Sequence, residues 1–184
     1  MKELLGEKYN KGEKIMKRTL IVIDMQNDFV TGSLANPMAQ AIIPNIQSKI
    51  AKYEKNGDEI IFTRDTHRAN YLETPEGKHL PVPHCINGTW GWLVVDELNH
   101  PEYQHINKTT FGYSHWAYED EFEEIELVGT CTDICVVSNA LILKAQFPNA
   151  NITVDASCCA GVTPESHKAA LTTMKMCQIN VIGE

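Results

Sequence analysis

Thr19-Leu-Ile-Val-Ile-Asp24 sets four consecutive large apolar residues directly before a carboxylate. An unbroken apolar run of strand length suits a strand buried on both faces, and such strands belong to parallel sheets whose crossover helices cover both sides. Asp24 then falls where the strand leaves the sheet. The pattern recurs along the chain. Glu59 to Thr63 (EIIFT) runs into Arg64-Asp65-Thr66-His67, and a short strand from His105 to Asn107 runs into Lys108. Ile125 to Gly129 runs into Thr130-Cys131-Thr132-Asp133, and Asn151 to Ala156 and Gln178 to Ile182 read as a fifth and a sixth strand. Helical spacing lies between them. Ile42, Ile43, Ile46, Ile50 and Tyr53 mark a helix over Ala39 to Lys55 that Asn56-Gly57 stops, and a second helix, capped by Thr132 or Asp133, runs to Gln146. A third spans Pro164 to Met176 with proline in its first turn. Strands alternating with helices predict an α/β fold, a parallel sheet with right-handed crossovers and helices on both faces. Ligands bind such sheets beyond the carboxyl ends of the strands, where the polar residues above collect.

The chain of 184 residues is expected to form one domain over residues 17–184, preceded by a polar extension at residues 1–16. Sixteen basic against 24 acidic residues give a formal charge of -8, which argues against nucleic acid as a partner because phosphate binding needs a cationic surface. No apolar stretch approaches the ~20 residues of a membrane span, and the first sixteen residues carry no signal-peptide core, so no membrane partner and a cytoplasmic location are expected. The six cysteines accordingly read as reduced thiols, most of them small buried residues. Residues 68 to 91 hold three prolines and little periodicity, the mark of a long ordered loop over the sheet edge, and loops of that length are usually functional.

Two groups of residues point to chemistry. Cys135 falls in the first turn of the helix after the fourth strand, where the helix dipole and free amides stabilise a thiolate. Alone it reads equally as a packed small residue, but Asp24 and Lys108, at two other strand ends, converge on the same edge. An acid, a cation and a thiol make a nucleophile set: Asp24 takes the thiol proton and returns it to a leaving amine, while Lys108 favours the thiolate and keeps Asp24 ionised. The second group is Asp65 and His67 after the second strand, with His84 further on. Histidines and carboxylates suit zinc, iron(II) or manganese(II), although an isolated Asp-x-His is also an ordinary hydrogen-bonded loop.

The motifs Asp24-Met-Gln-Asn-Asp-Phe29, Lys108 with nearby Phe111, and Gly129-Thr-Cys-Thr-Asp-Ile-Cys135-Val resemble the isochorismatase-like cysteine hydrolases, and the resemblance covers Lys17 to Glu184. It implies a three-layer α/β/α sandwich with a six-stranded parallel sheet, and Asp24, Lys108 and Cys135 as a catalytic triad. It also implies a cis peptide between Thr130 and Cys131, and an oxyanion hole formed by the amides of Cys131 and Cys135. Asp65-Thr-His67 followed by His84-Cys85 and a Gly-Thr pair is similar to the nicotinamidase branch. That branch binds one divalent transition metal, zinc first with iron or manganese as alternatives. Asp65, His67 and His84 would be ligands, with Glu76 the preferred fourth and Glu73 or His79 the alternatives. The resemblance implies a nicotinamide-like substrate whose pyridine nitrogen meets the metal while its carboxamide meets Cys135, with Phe29, and Trp90 or Trp116, as ring-pocket walls. It further implies a dimer or tetramer of identical chains. Other amidohydrolases of this fold act on carbamoyl or ureido amides, and a non-catalytic small-molecule binder is the remaining alternative.

Overall fold

Leu20 and Val22 point to one side of the first strand and Ile21 and Ile23 to the other, and all four are fully buried. The computed structural model describes residues 18–116 and 122–184, so the expected extension at residues 1–16 lies outside the described residues. Its strands are β1 (Arg18–Ile23), β2 (Glu59–Asp65), β3 (Gln104–Lys108), β4 (Glu124–Thr130), β5 (Asn151–Ala160) and β6 (Asn180–Ile182). They form one six-stranded sheet in the order β3-β2-β1-β4-β5-β6, with every pairing parallel. The helices are α1 (Asn27–Val30), α2 (Pro37–Ala41), α3 (Ile43–Asn56), α4 (Pro75–His79), α5 (Val137–Gln146) and α6 (Pro164–Met176).

Each face of the sheet has its own core. Ile21, Ile23, Leu127 and Val154 pack with Leu143 of α5 and with Leu171 and Met174 of α6. Leu20, Val22, Ile60 and Phe62 pack with Ile46, Ile50 and Tyr53 of α3. This is the expected α/β/α sandwich. Strand order reverses direction between β1 and β4, and at that switch point the two crossovers diverge and open a crevice beyond the strand ends. Among the described residues no helix is long and apolar enough to cross a membrane.

The helix expected over Ala39 to Lys55 is broken at Ile42. Pro44 is the second residue of α3 and has no N–H to donate to the preceding turn, so α2 ends and α3 restarts. Gly57 caps α3 with φ +72, as its position after Asn56 suggested. Four strands run further than their apolar stretches. Asp65 and Lys108 are partners in the β2–β3 register, and Gly129 and Thr130 pair with Cys159 and Ala160, so residues expected just past the strands are their last members. β6, by contrast, begins only at Asn180. The loop over residues 68 to 91 holds α4 and two short 3-10 turns, Tyr71–Glu73 and Trp90–Trp92.

Neither Thr132 nor Asp133 caps a helix. Thr132–Val136 forms a π-helical turn that runs into α5 without a side-chain cap. The Thr132 hydroxyl pairs with His167 Nδ1 at 2.8 Å, and both Asp133 oxygens accept the Val162 amide at 3.1 Å, so these side chains tie the turn to the start of α6 instead.

Candidate active site

Asp24 ends β1 in the left-handed region, at φ +48, and is fully buried. Thr63 of β2 holds it from both sides: its hydroxyl donates to Asp24 Oδ1 at 2.7 Å and accepts from the Asp24 amide at 3.2 Å. Beside Asp24, Gly129 of β4 has φ +116, and a β-carbon there would come within 2.1 Å of the Ile23 carbonyl oxygen, so only glycine lets the two strands approach here. Lys108 reaches inward from the end of β3. Its Nζ lies 2.6 Å from Asp24 Oδ2, 3.5 Å from Cys135 Sγ and 3.7 Å from Asp65 Oδ1. Asp24, Lys108 and Cys135 therefore meet in one buried cluster at the sheet's switch point.

Burial, and then the Asp24 carboxylate, push the Cys135 thiol well above its ordinary value, and Lys108 offsets only part of this. Burial also raises Asp24 against the pull of Lys108, which makes its carboxylate a stronger base than an exposed one. Lys108 is itself raised: burial opposes its charge, but Asp24, Cys135 and Asp65 outweigh burial. The Thr130–Cys131 peptide is cis. The Cys131 carbonyl accepts the amides of Ile134 and Val136 at 3.1 and 3.0 Å, which fixes the turn that carries Cys135.

Asp65, His67, Glu76 and His84 bring one ligand atom each to within 4.8 Å of one another. His67 Nε2 stands 2.9 Å from Asp65 Oδ2 and 3.6 Å from Glu76 Oε1; His84 Nε2 stands 3.5 and 3.9 Å from the same atoms. Ligands about 2.0–2.1 Å from a tetrahedral zinc would lie roughly 3.3 Å apart, within this spread. His67 Nε2 is buried and faces the Asp65 and Glu76 carboxylates without a well-formed hydrogen bond, and His84 Nδ1 is engaged by the Val82 carbonyl at 2.8 Å, leaving its Nε2 facing the cluster. The donor set therefore fits a divalent transition metal. Glu76 enters the cluster from α4, whereas His79 Nδ1 turns back to the Pro75 carbonyl at 2.8 Å and Glu73 lies on the preceding 3-10 turn, outside the group.

A cavity of about 600 Å³ joins the two clusters, lined by Asp65, Glu76 and His84 on one side and Cys131 and Cys135 on the other. Phe29 is part of its wall, with its ring centroid 5.6 Å from that of His84. Neither tryptophan offered as a wall lines it. Trp90 is 59% exposed, and Trp116 is buried in the core against Tyr113. The Cys131 side chain, to which the sequence assigns no role beyond that of its backbone amide, also lines the cavity, its thiol pushed up to about 11 by burial. Cys177 is exposed rather than buried.

Several supporting residues are given no role by the sequence, although Gln26 and Asp28 lie inside the motif Asp24 to Phe29. The Gln26 side chain donates to the Asp65 and Trp92 carbonyls at 2.9 and 2.8 Å and accepts the Asp65 amide at 2.7 Å. It thereby stands in for the strand pairing that β1 no longer offers β2. Asp28 accepts the Cys85 amide at 2.7 Å, while the Cys85 carbonyl accepts the His67 amide at 3.0 Å, so one residue, Cys85, ties both histidines to α1. Asn139 donates to the Cys135 and Phe111 carbonyls at 2.8 and 3.2 Å and accepts the Tyr113 amide at 2.9 Å. All are amide or carboxyl side chains aimed at backbone, a role that depends on tertiary placement rather than on periodicity.

Residues 18–183 match the isochorismatase domain family. The chain is 31% identical over 179 residues to an uncharacterized isochorismatase family protein, PncA, of Bacillus subtilis, covering 85% of this chain and 93% of that one. Among solved structures it resembles the nicotinamidase/pyrazinamidase PncA from Bacillus subtilis, with a TM-score of 0.78 at 30% identity over 91% of this chain and 100% of the other. It also resembles the pyrazinamidase of Pyrococcus horikoshii in complex with zinc, with a TM-score of 0.76 at 25% identity over 91% and 99% of the two chains. With its parallel sheet and its clustered Asp24, Lys108 and Cys135, this chain belongs to the isochorismatase family.

Proposed function

We propose that the protein is a nicotinamidase, an amide hydrolase that converts nicotinamide to nicotinate and ammonia with Cys135 as nucleophile. The observation that carries this reading is the single cavity onto which Cys135 and the Asp65–Glu76–His84 side of the four-residue cluster both open. Cleaving a simple linear amide needs only the thiol side. A heteroaromatic amide with a ring nitrogen gives both sides a partner.

In this reading Asp65, His67, Glu76 and His84 hold a divalent metal, zinc first, with iron or manganese as alternatives, and the bound ion supplies a Lewis-acid position for the pyridine nitrogen. Phe29 walls the ring. Asp24 takes the Cys135 proton as sulfur attacks the carboxamide carbon, and the raised carboxylate suits that task. The amides of Cys131 and Cys135 face the oxygen that becomes negative. Lys108 balances the Asp24 charge in the resting site and holds the carboxylate beside the sulfur. Asp24 then returns the proton to nitrogen, the C–N bond breaks, and ammonia leaves a thioester on Cys135. Water adds to the thioester with Asp24 as base, the C–S bond breaks, and the sulfur recovers its proton as nicotinate departs.

Ammonia release from nicotinamide, measured before and after chelator treatment with metal content determined on the same sample, tests the proposal. Release that needs the metal and gives nicotinate is expected. A folded, metal-loaded protein that releases none overturns it in favour of another amide, with carbamoyl and ureido compounds the next to try.

A further inference from the structure

The cavity is larger and more apolar than a single pyridine ring requires. At about 600 Å³ it falls in the range, roughly 300–1,000 Å³, that encloses drug-sized ligands. Beside Asp65, Glu76, His84, Cys131 and Cys135 its wall is mostly apolar, with Leu34, Pro37, Leu80, Phe111, Ile134 and Val162, and it carries two further polar side chains, Asn36 and His79. Leu80, Phe111 and Val162 are 39%, 47% and 57% exposed, so three of the large apolar side chains left open to solvent among the described residues belong to this one cavity.

These three are held in place. The Val162 amide is gripped by both carboxylate oxygens of Asp133 at 3.1 Å. The Phe111 carbonyl accepts from the buried Asn139 at 3.2 Å. Leu80 donates its amide to the Glu76 carbonyl at 2.8 Å and accepts the Tyr71 hydroxyl at 2.9 Å on its own carbonyl. Exposed apolar side chains on a pinned backbone form a preorganised surface, and a ligand that covers it loses little to ordering.

We infer that this outer region is a subsite for an apolar substituent, so that the substrate class extends to carboxamides bearing an alkyl or aryl group that reaches outward from the reacting carbonyl. The inference builds on the proposed cysteine amidohydrolase but needs only that Cys135 lines the cavity. The substituent is the occupant argued for because the apolar wall is continuous with the thiol: whatever reacts at Cys135 has this wall as its immediate neighbour.

The test compares alkylation of Cys135 by iodoacetamide and by N-butyl iodoacetamide, resolved by peptide mass spectrometry, with exposed Cys177 in the same molecule as the reference for intrinsic reactivity. After normalisation to Cys177, the butyl reagent should modify Cys135 at least about tenfold faster, given what a few methylenes are worth in an apolar pocket. The Val162→Ser variant, and Leu80→Ser with it, should bring that ratio down towards one; Val162→Ser alters an exposed side chain and preserves the fold. Equal or slower reaction with the butyl reagent, a ratio unchanged in the variants, or a Cys135 that neither reagent reaches would overturn the subsite. Nicotinamide turnover reports separately on the proposed function: an apolar preference without nicotinamidase activity keeps the subsite and removes the substrate. Nicotinamidase activity without the preference does the reverse.

Discussion

The two clusters that share the cavity are built in different ways. Asp24 and Lys108 stand at the ends of β1 and β3 and Cys135 on the turn after β4, so the sheet itself fixes their spacing. In the other cluster only Asp65 sits on a strand; Glu76 comes from the five-residue α4, and His67 and His84 come from the long segment between β2 and β3. That second cluster is held by side chains reaching for backbone: Gln26 on Asp65, and Asp28 on the peptide beside His84. Damage to the sheet-set group should therefore appear in chemistry and in global stability, and damage to the loop-set group in metal affinity.

Replacing the nucleophile should give the largest effect. Cys135→Ala is expected to lower turnover at least about 10⁴-fold with metal content intact, since members of a catalytic unit fail together. Ammonia release together with metal analysis checks both halves. Lys108→Met strikes the same group differently. It leaves Asp24 buried without its cation, and breaking such a pair costs about 3–5 kcal/mol. A large drop in the urea midpoint should accompany lost activity; unchanged stability would mean that the ion pair does not hold the strand ends together.

The loop-set cluster should respond in the opposite sense. Asp28→Ala frees the Cys85 amide and should weaken metal binding about 10- to 100-fold, the usual effect of removing a group that orients a ligand. The rate of Cys135 alkylation should change less than metal affinity does, because Asp28 touches none of Asp24, Lys108 and Cys135 and the clusters meet only where Asp65 lies 3.7 Å from Lys108. If thiol reactivity collapsed together with metal affinity, the division between the clusters would be false. The smallest predicted effect is on pH dependence. Asp24 must be ionised to accept the thiol proton, and burial raises its pKa, so kcat/KM should fall with decreasing pH along a limb that lies above the ordinary aspartate value. Lys108 pulls that pKa down, so Lys108→Met should raise it further, read on the Asp24 carboxyl itself by infrared titration rather than through turnover. A limb at or below the ordinary value would exclude Asp24 as the group that titrates there.

The same contrast explains what the sequence reveals. Six apolar stretches, each followed by polar residues, give the strands, their parallel order and the edge where Asp24, Lys108 and Cys135 gather, because burial on two faces leaves a continuous apolar run. The histidines of the metal-type cluster are visible from residue type, but choosing Glu76 over Glu73 and His79 depends on the phase of α4, which five residues of helix do not encode in periodicity. The roles of Thr63, Gln26 and Asn139 are hidden for a different reason, even though Gln26 lies within the Asp24 to Phe29 motif. Each satisfies buried backbone or carboxyl groups of residues far away in the chain, and no local pattern distinguishes such a side chain from a solvated one. The break at Ile42 was legible in principle, since Pro44 lies inside an otherwise continuous helical stripe.

Acid-quenched mass spectrometry of the metal-loaded protein during turnover of nicotinamide shows directly whether Cys135 carries the acyl group. A nicotinoyl group is expected on the peptide that contains Cys135, absent from the Cys135→Ala variant and discharged when turnover ends. Ammonia release with no acylated cysteine in the wild type, or with undiminished rate in Cys135→Ala, would contradict it.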